Sequence, residues 1–163
     1  MALSEKTRSE IEAALRRYPE RRTAVLDALR AAQQEAGHLG GETIREVAEI
    51  LELDPNALYS LVTFYDLFYA EPVGKNVIHI CKNIACYLRG ADDLIAYLTQ
   101  KLGVPIGGTT ADGLFTVHAA ECLASCGTAP AMIVNETYYE NLTRDRLDAI
   151  LTELAASPAE ARS

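Results

Sequence analysis

The chain carries no surplus of positive charge. Lysine and arginine number 15 against 23 aspartates and glutamates, a formal net charge of −8. Nucleic acid and anionic membrane surfaces both recruit basic patches, so neither is an expected partner. Long hydrophobic runs are missing too. None approaches the roughly 18–20 apolar residues that span a bilayer, so no membrane insertion is expected. The opening, MALSEKTRSE, is polar, with two glutamates and no apolar stretch. That argues against a secretory signal or a mitochondrial transit peptide. The expected setting is a bacterial-type cytoplasm, where thiols stay reduced. Nor is there a Gly-x-Gly-x-x-Gly after a strand, or a Gly-Lys-Ser/Thr loop, to cradle phosphates. The stretch GGTTADG, residues 107–113, lacks that context and reads as a turn. Cysteine is scarce, with four in 163 residues. With 49% hydrophobic residues the chain has material for a core and needs no disulfides to fold.

What the sequence does contain changes character near residue 72. Residues 1–72 read as a small helical bundle. Ser9 and Glu12 suggest a capping box, followed by Ile11, Leu15 and Tyr18 on one face and a stop at Pro19. Val25, Leu29 and Ala32 form the next stripe, closed by Gly37. Thr43 and Glu46 suggest a second capping box before Ile44, Val47, Ala48 and Leu51. Asp54-Pro55 is an N-cap with proline in the first turn, ahead of Leu58, Leu61, Val62 and Tyr65. Beyond EPVGKN, residues 73–157 read strand, helix, strand, strand, strand, helix. The strands are 77–81, GLFTVHAA and a hairpin turning at Asn135-Glu136. The helices carry Ala91 to Leu102 and Leu147 to Leu154. A strand–helix–strand crossover makes its strands parallel. The hairpin and last helix complete a thioredoxin-like α/β layer. The tail, 158–163, reads as frayed.

All four cysteines fall in two short stretches, Cys81 and Cys86 in HICKNIACYLRG and Cys122 and Cys126 in ECLASCGTAP. Cys81 ends the first strand with Cys86 in the loop beyond it, and the other two follow the second strand. Thirty-five residues separate Cys86 from Cys122, about the length of one strand–helix–strand unit. Parallel neighbours would bring the four sulfurs to one sheet edge, where ligand loops of open α/β sheets sit. Four chemistries compete there. A [2Fe–2S] cluster takes four thiolates. Structural zinc takes four as well, but favours Cys-x2-Cys pairs. A redox dithiol wants Cys-x2-Cys at a helix start. Unrelated buried cysteines are the fourth possibility.

Three stretches resemble the small thioredoxin-like [2Fe–2S] subunit family of NADH:quinone oxidoreductase, respiratory complex I. They are GKNVIHICKNIACYLRGADDL, GLFTVHAAECLASCGTAPAMIVNETYYENLT, and the helical lead-in AQQEAGHLGGETIREVAEILELDPNALYSLVTFYDLFYAEPVGK. The likeness runs over about residues 10 to 155. It implies a helical bundle followed by a thioredoxin-like ferredoxin domain with one [2Fe–2S] cluster per chain. Cys81 and Cys86 would bind one iron, and Cys122 and Cys126 the other. It implies a one-electron carrier, on the cytoplasmic side of a membrane-bound complex, with no catalytic site of its own. FMN and NADH would belong to a larger iron–sulfur flavoprotein partner. The lead-in would help dock that partner among the other subunits. Relatives occupy the same place in NAD-linked hydrogenases and formate dehydrogenases. A zinc-bearing interaction module is the alternative of a different class.

Two residues depart from the family pattern. Lys82 stands where threonine is frequent, with the expectation that its charge raises the cluster's potential. Ala124 stands where glycine is usual, with the expectation of an altered loop. Gly127 is expected to allow a close turn, and Gly90-Ala91 to start a helix whose positive end faces the site. His79 and His118 read as sheet histidines rather than ligands, and His38 as a helix-end residue. The aromatic run from Thr63 to Tyr69 reads as core, with a partner surface as the alternative.

Overall fold

The computed structural model describes residues 2–156; the expected frayed tail, 158–163, lies outside the described residues. The chain forms two compact units, one running to Pro72 and one beginning at Val73. Among the described residues the first holds four α-helices: α1 (Glu5–Arg17), α2 (Val25–Ala36), α3 (Gly41–Leu51) and α4 (Pro55–Phe64). Their shared core includes Ile11, Leu29, Val47, Leu51 and Leu58, all nearly solvent-free. The expected stripes on α2 and α3 are the buried faces, and Gly37 closes α2 at φ 77°.

Both expected capping boxes are absent. Helix α1 begins earlier, with Ser4 as its cap, accepting from the Thr7 amide at 3.3 Å. Ser9 is inside the helix. Helix α3 starts from Gly40 without a side-chain cap, and Thr43 is buried within it. Glu46 does not reach back to its own helix start. It accepts from the Leu3 amide and pairs with Arg8, while Glu35 of α2 accepts from Ser4 N and Oγ at 2.8 and 2.7 Å. Two carboxylates from neighbouring helices thus secure the start of α1. The Asp54 cap does form, Oδ1 accepting from the Asn56 amide at 2.9 Å. The aromatic run divides: Phe68 packs on the helical core, whereas Phe64 and Leu67 are exposed.

The second unit is a mixed four-stranded sheet in the order β2-β1-β3-β4. Its strands are β1 (Asn76–Cys81), β2 (Phe115–Ala120), β3 (Met132–Val134) and β4 (Thr137–Tyr139). Strands β1 and β2 run parallel, Cys81 opposite Ala120, and β3 is antiparallel to β1 and to β4. A short helix not expected from the sequence, α5 (Ile84–Leu88), follows β1, capped by Asn83 Oδ1 on the Ile84 amide at 2.8 Å. Cys86 is therefore on a helix, not in a loop. Gly90, at φ 87°, makes the break before α6 (Ala91–Leu102).

Ile78, Ile80, Phe115, Val117, Met132 and Val134 share one sheet face. Against it pack Leu94 and Leu98 of α6 and Leu147, Ile150 and Leu151 of α7 (Arg144–Ala156). The glycine-bearing stretch 107–113 lies along β2, Gly107 N donating to Val117 O at 2.6 Å. No helix among the described residues is long and apolar enough to cross a membrane.

Truncating Leu147 to alanine, which is fully buried under the sheet, is expected to cost about 2–5 kcal/mol. Asp54→Ala, which removes an exposed cap, is expected to cost about 1 kcal/mol. Urea unfolding monitored by far-UV circular dichroism measures both; equal losses would contradict this placement of the core.

Candidate metal centre

The strand order brings the two cysteine-bearing stretches to one sheet edge. Strand β2 lies on one side of β1 and β3 on the other. Residues 121–131, which join β2 to β3, must therefore cross the C-terminal end of β1. The gap is two interstrand steps, about 9.6 Å. Backbone bonds mark both banks: Lys82 N donates to Ala120 O, and Cys81 N to Ala131 O, each at 3.0 Å. Cys122 and Cys126 lie on this crossing, above the strand that ends in Cys81.

The first pair is closely drawn. Cys81 and Cys86 are buried together with Ala91 and Ala129. Burial pushes the Cys86 thiol above its ordinary pKa, and its hydrogen bond with Cys81 adds to that. The Ala131 amide acts in the opposite sense, and Cys126 is near enough to be felt electrostatically. Ala91, fully buried, puts the first turn of α6 against these sulfurs, where the positive end of a helix favours thiolate.

The second pair is exposed. Ala124 N donates to Cys122 Sγ at 3.3 Å. Ala124 reaches this position at φ 57°, in the left-handed region that disfavours a side chain by about 1–2 kcal/mol. The close turn thus falls at Ala124. Gly127 lies outside that region, and a Cβ there would meet no protein atom within 4 Å. Among the described residues no group of three or more His, Cys, Asp or Glu is arranged to hold a metal ion.

Lys82 extends from the end of β1 and Glu121 from the end of β2, and they form an ion pair at 2.8 Å. The hydrogen bond from Lys82 to Glu121 raises the lysine pKa. The lysine charge thus has an acidic partner beside the site. His79 and His118, opposite each other in the register, stack at 5.1 Å within the sheet. His38 lies beside the uncapped start of α3, in the other unit. Glu140, not singled out from the sequence, contacts the crossing through Ser125 and Thr128.

Residues 11–155 match the family described as thioredoxin-like [2Fe-2S] ferredoxin. An NADH-quinone oxidoreductase subunit of Rhizobium meliloti (strain 1021) is 46% identical over 150 residues, covering 92% of this chain and 89% of the relative. An NADH-quinone oxidoreductase subunit of Thermus thermophilus is 41% identical, covering 90% of this chain and 82% of that protein. The crystal structure of an NAD+-reducing [NiFe]-hydrogenase in the H2-reduced state superposes with TM-score 0.70 at 24% identity. It covers 80% of this chain and 22% of that one, a likeness of fold.

In metal-free protein at pH 7.5, Cys122 and Cys126 are expected to react with iodoacetamide about tenfold or more faster than Cys81 and Cys86, because they are exposed. Peptide mapping by mass spectrometry reads the order. Uniform labelling of all four in folded protein would contradict the asymmetry.

Proposed function

Because the chain belongs to the thioredoxin-like [2Fe–2S] ferredoxin family, we propose that Cys81, Cys86, Cys122 and Cys126 hold its cluster, with one pair on each iron. A [2Fe–2S] cluster takes up and passes on one electron at a time. The chain is a one-electron carrier of an NADH dehydrogenase complex, the complex for which its relatives are named. The observation that carries the ligand assignment is the crossing of residues 121–131 over the end of β1, which puts every cysteine of the chain at one sheet edge.

The residues around that edge suit the task. Burying anionic sulfur is costly unless dipoles face it. The Ala124 amide faces Cys122, the Ala131 amide faces Cys86, and the start of α6 backs the first pair. Cys81 and Cys86 form the inner, water-excluding side, and Cys122 and Cys126 the outer side. Electron exchange with a partner would pass through that outer edge.

The expected partner is a larger flavoprotein that binds FMN and NADH, with this chain on the cytoplasmic side of the complex. The helical unit would dock to it; Tyr59, Phe64 and Leu67 are exposed there, and aromatic anchors are frequent at interfaces.

Alanine at any one of the four cysteines is expected to abolish stoichiometric iron and sulfide while leaving the helical unit folded. A variant that retained both would remove that residue from the ligand set. With wild-type protein, NADH should reduce the cluster only when the flavoprotein is added. Reduction by NADH alone would contradict the division of labour.

A further inference from the structure

Beyond the four cysteines, one carboxylate engages the crossing directly. Glu140 follows β4 and reaches back across the loop. Its Oε1 accepts from the Ser125 hydroxyl and from Thr128 Oγ1, the latter at 2.5 Å, and the two hydroxyl oxygens lie 2.8 Å apart. Ser125 immediately precedes Cys126. Thr128 closes the short 3-10 turn Cys126–Thr128. Adjacent residues bind the same loop: Tyr138 Oη donates to Leu123 O at 3.3 Å, Asn141 N to Thr128 O at 2.7 Å, and Leu142 N to Pro130 O at 3.0 Å. The end of the hairpin therefore braces the crossing at several points, and Glu140 is the charged one.

The chemistry favours a carboxylate here. Hydrogen bonds from Ser125 and Thr128 hold the Glu140 carboxyl below its ordinary pKa, so it stays anionic at neutral pH. An anion accepts both hydroxyl protons at once, which a neutral amide cannot do as well. Those hydroxyls are then committed away from the cysteine they flank.

We propose that Glu140 is a positioning residue for the outer side of the metal centre. Through Ser125 and Thr128 it fixes the turn that presents Cys126, and it keeps a fixed negative charge behind that turn. The inference rests on the reading of Cys126 as a cluster ligand. Outer partners of metal ligands typically change metal affinity by about 10–100-fold when lost.

Three variants test it: Glu140→Ala, Glu140→Gln and Thr128→Val. In Glu140→Ala, chelator-driven cluster loss should accelerate about tenfold or more. Glu140→Gln keeps the shape but removes the charge. Its cluster should be more easily reduced, by about threefold or more in the equilibrium constant, read as a potential shift at about 59 mV per tenfold. Thr128→Val should accelerate cluster loss with the carboxylate in place. In metal-free protein, amide exchange at residues 123–128 should quicken in Glu140→Ala but not along β1. If Glu140→Ala fails to fold, the other two variants decide. Unchanged release rate, potential and EPR line shape in all folded variants would overturn the proposal. Wild-type protein lacking iron and sulfide would overturn the reading beneath it, and the proposal with it. Amide exchange would then still show separately whether Glu140 braces the loop.

Discussion

The strand order β2-β1-β3 obliges the chain to pass over the C-terminal end of β1, and the proposed metal centre depends on that passage. Neighbouring parallel strands alone would bring two loops to one edge. Here the second loop is also drawn across the first strand's end, because its exit strand lies on the far side. Backbone bonds from Lys82 to Ala120 and from Cys81 to Ala131 fix the two banks. The cysteines need no long-range search: Cys81 ends the strand, and Cys122 and Cys126 lie on the strip of chain above it.

Several local features then adjust what the topology assembles. The five-residue helix α5, capped by Asn83, turns Cys86 inward beside Cys81. Glycine at Gly90 permits the abrupt start of α6, so its positive end lies close by. Ala124 accepts an unfavourable backbone angle to bring its amide to Cys122. Around the rim, Lys82 and Glu121 cancel each other's charge, and Glu140 holds the turn after Ser125. The result has a dry inner side and an exposed outer side, an asymmetry suited to a carrier that must hold a charged group and still exchange electrons.

Much of this was legible in the sequence, and the exceptions have physical causes. The strands, helix stripes and terminating glycines follow from periodicity and backbone preference, which are local. So is the Asp54-Pro55 start. Helix α5 was not legible because five residues are too few for a 3.6-residue period to show; Asn83 and Gly90 were its available signals. Ser9 has the pattern of a cap, yet α1 starts from Ser4, which has the tertiary partner in Glu35. Glu46 matched a capping box yet serves Leu3 and Arg8, far away in sequence. At the metal centre, the cysteine types and spacing were plain. Ion pairing at Lys82, the turn at Ala124 and the reach of Glu140 were not, because each depends on which loops face each other across the end of β1.

We propose that one [2Fe–2S] cluster is held at this edge. The most direct test is iron, acid-labile sulfide and zinc analysis of anaerobically purified protein, with EPR before and after dithionite. About two irons and two sulfides per chain are expected, silent when oxidised and giving a one-spin signal when reduced. One zinc per chain, without sulfide or signal and with failed iron–sulfide reconstitution, would contradict it.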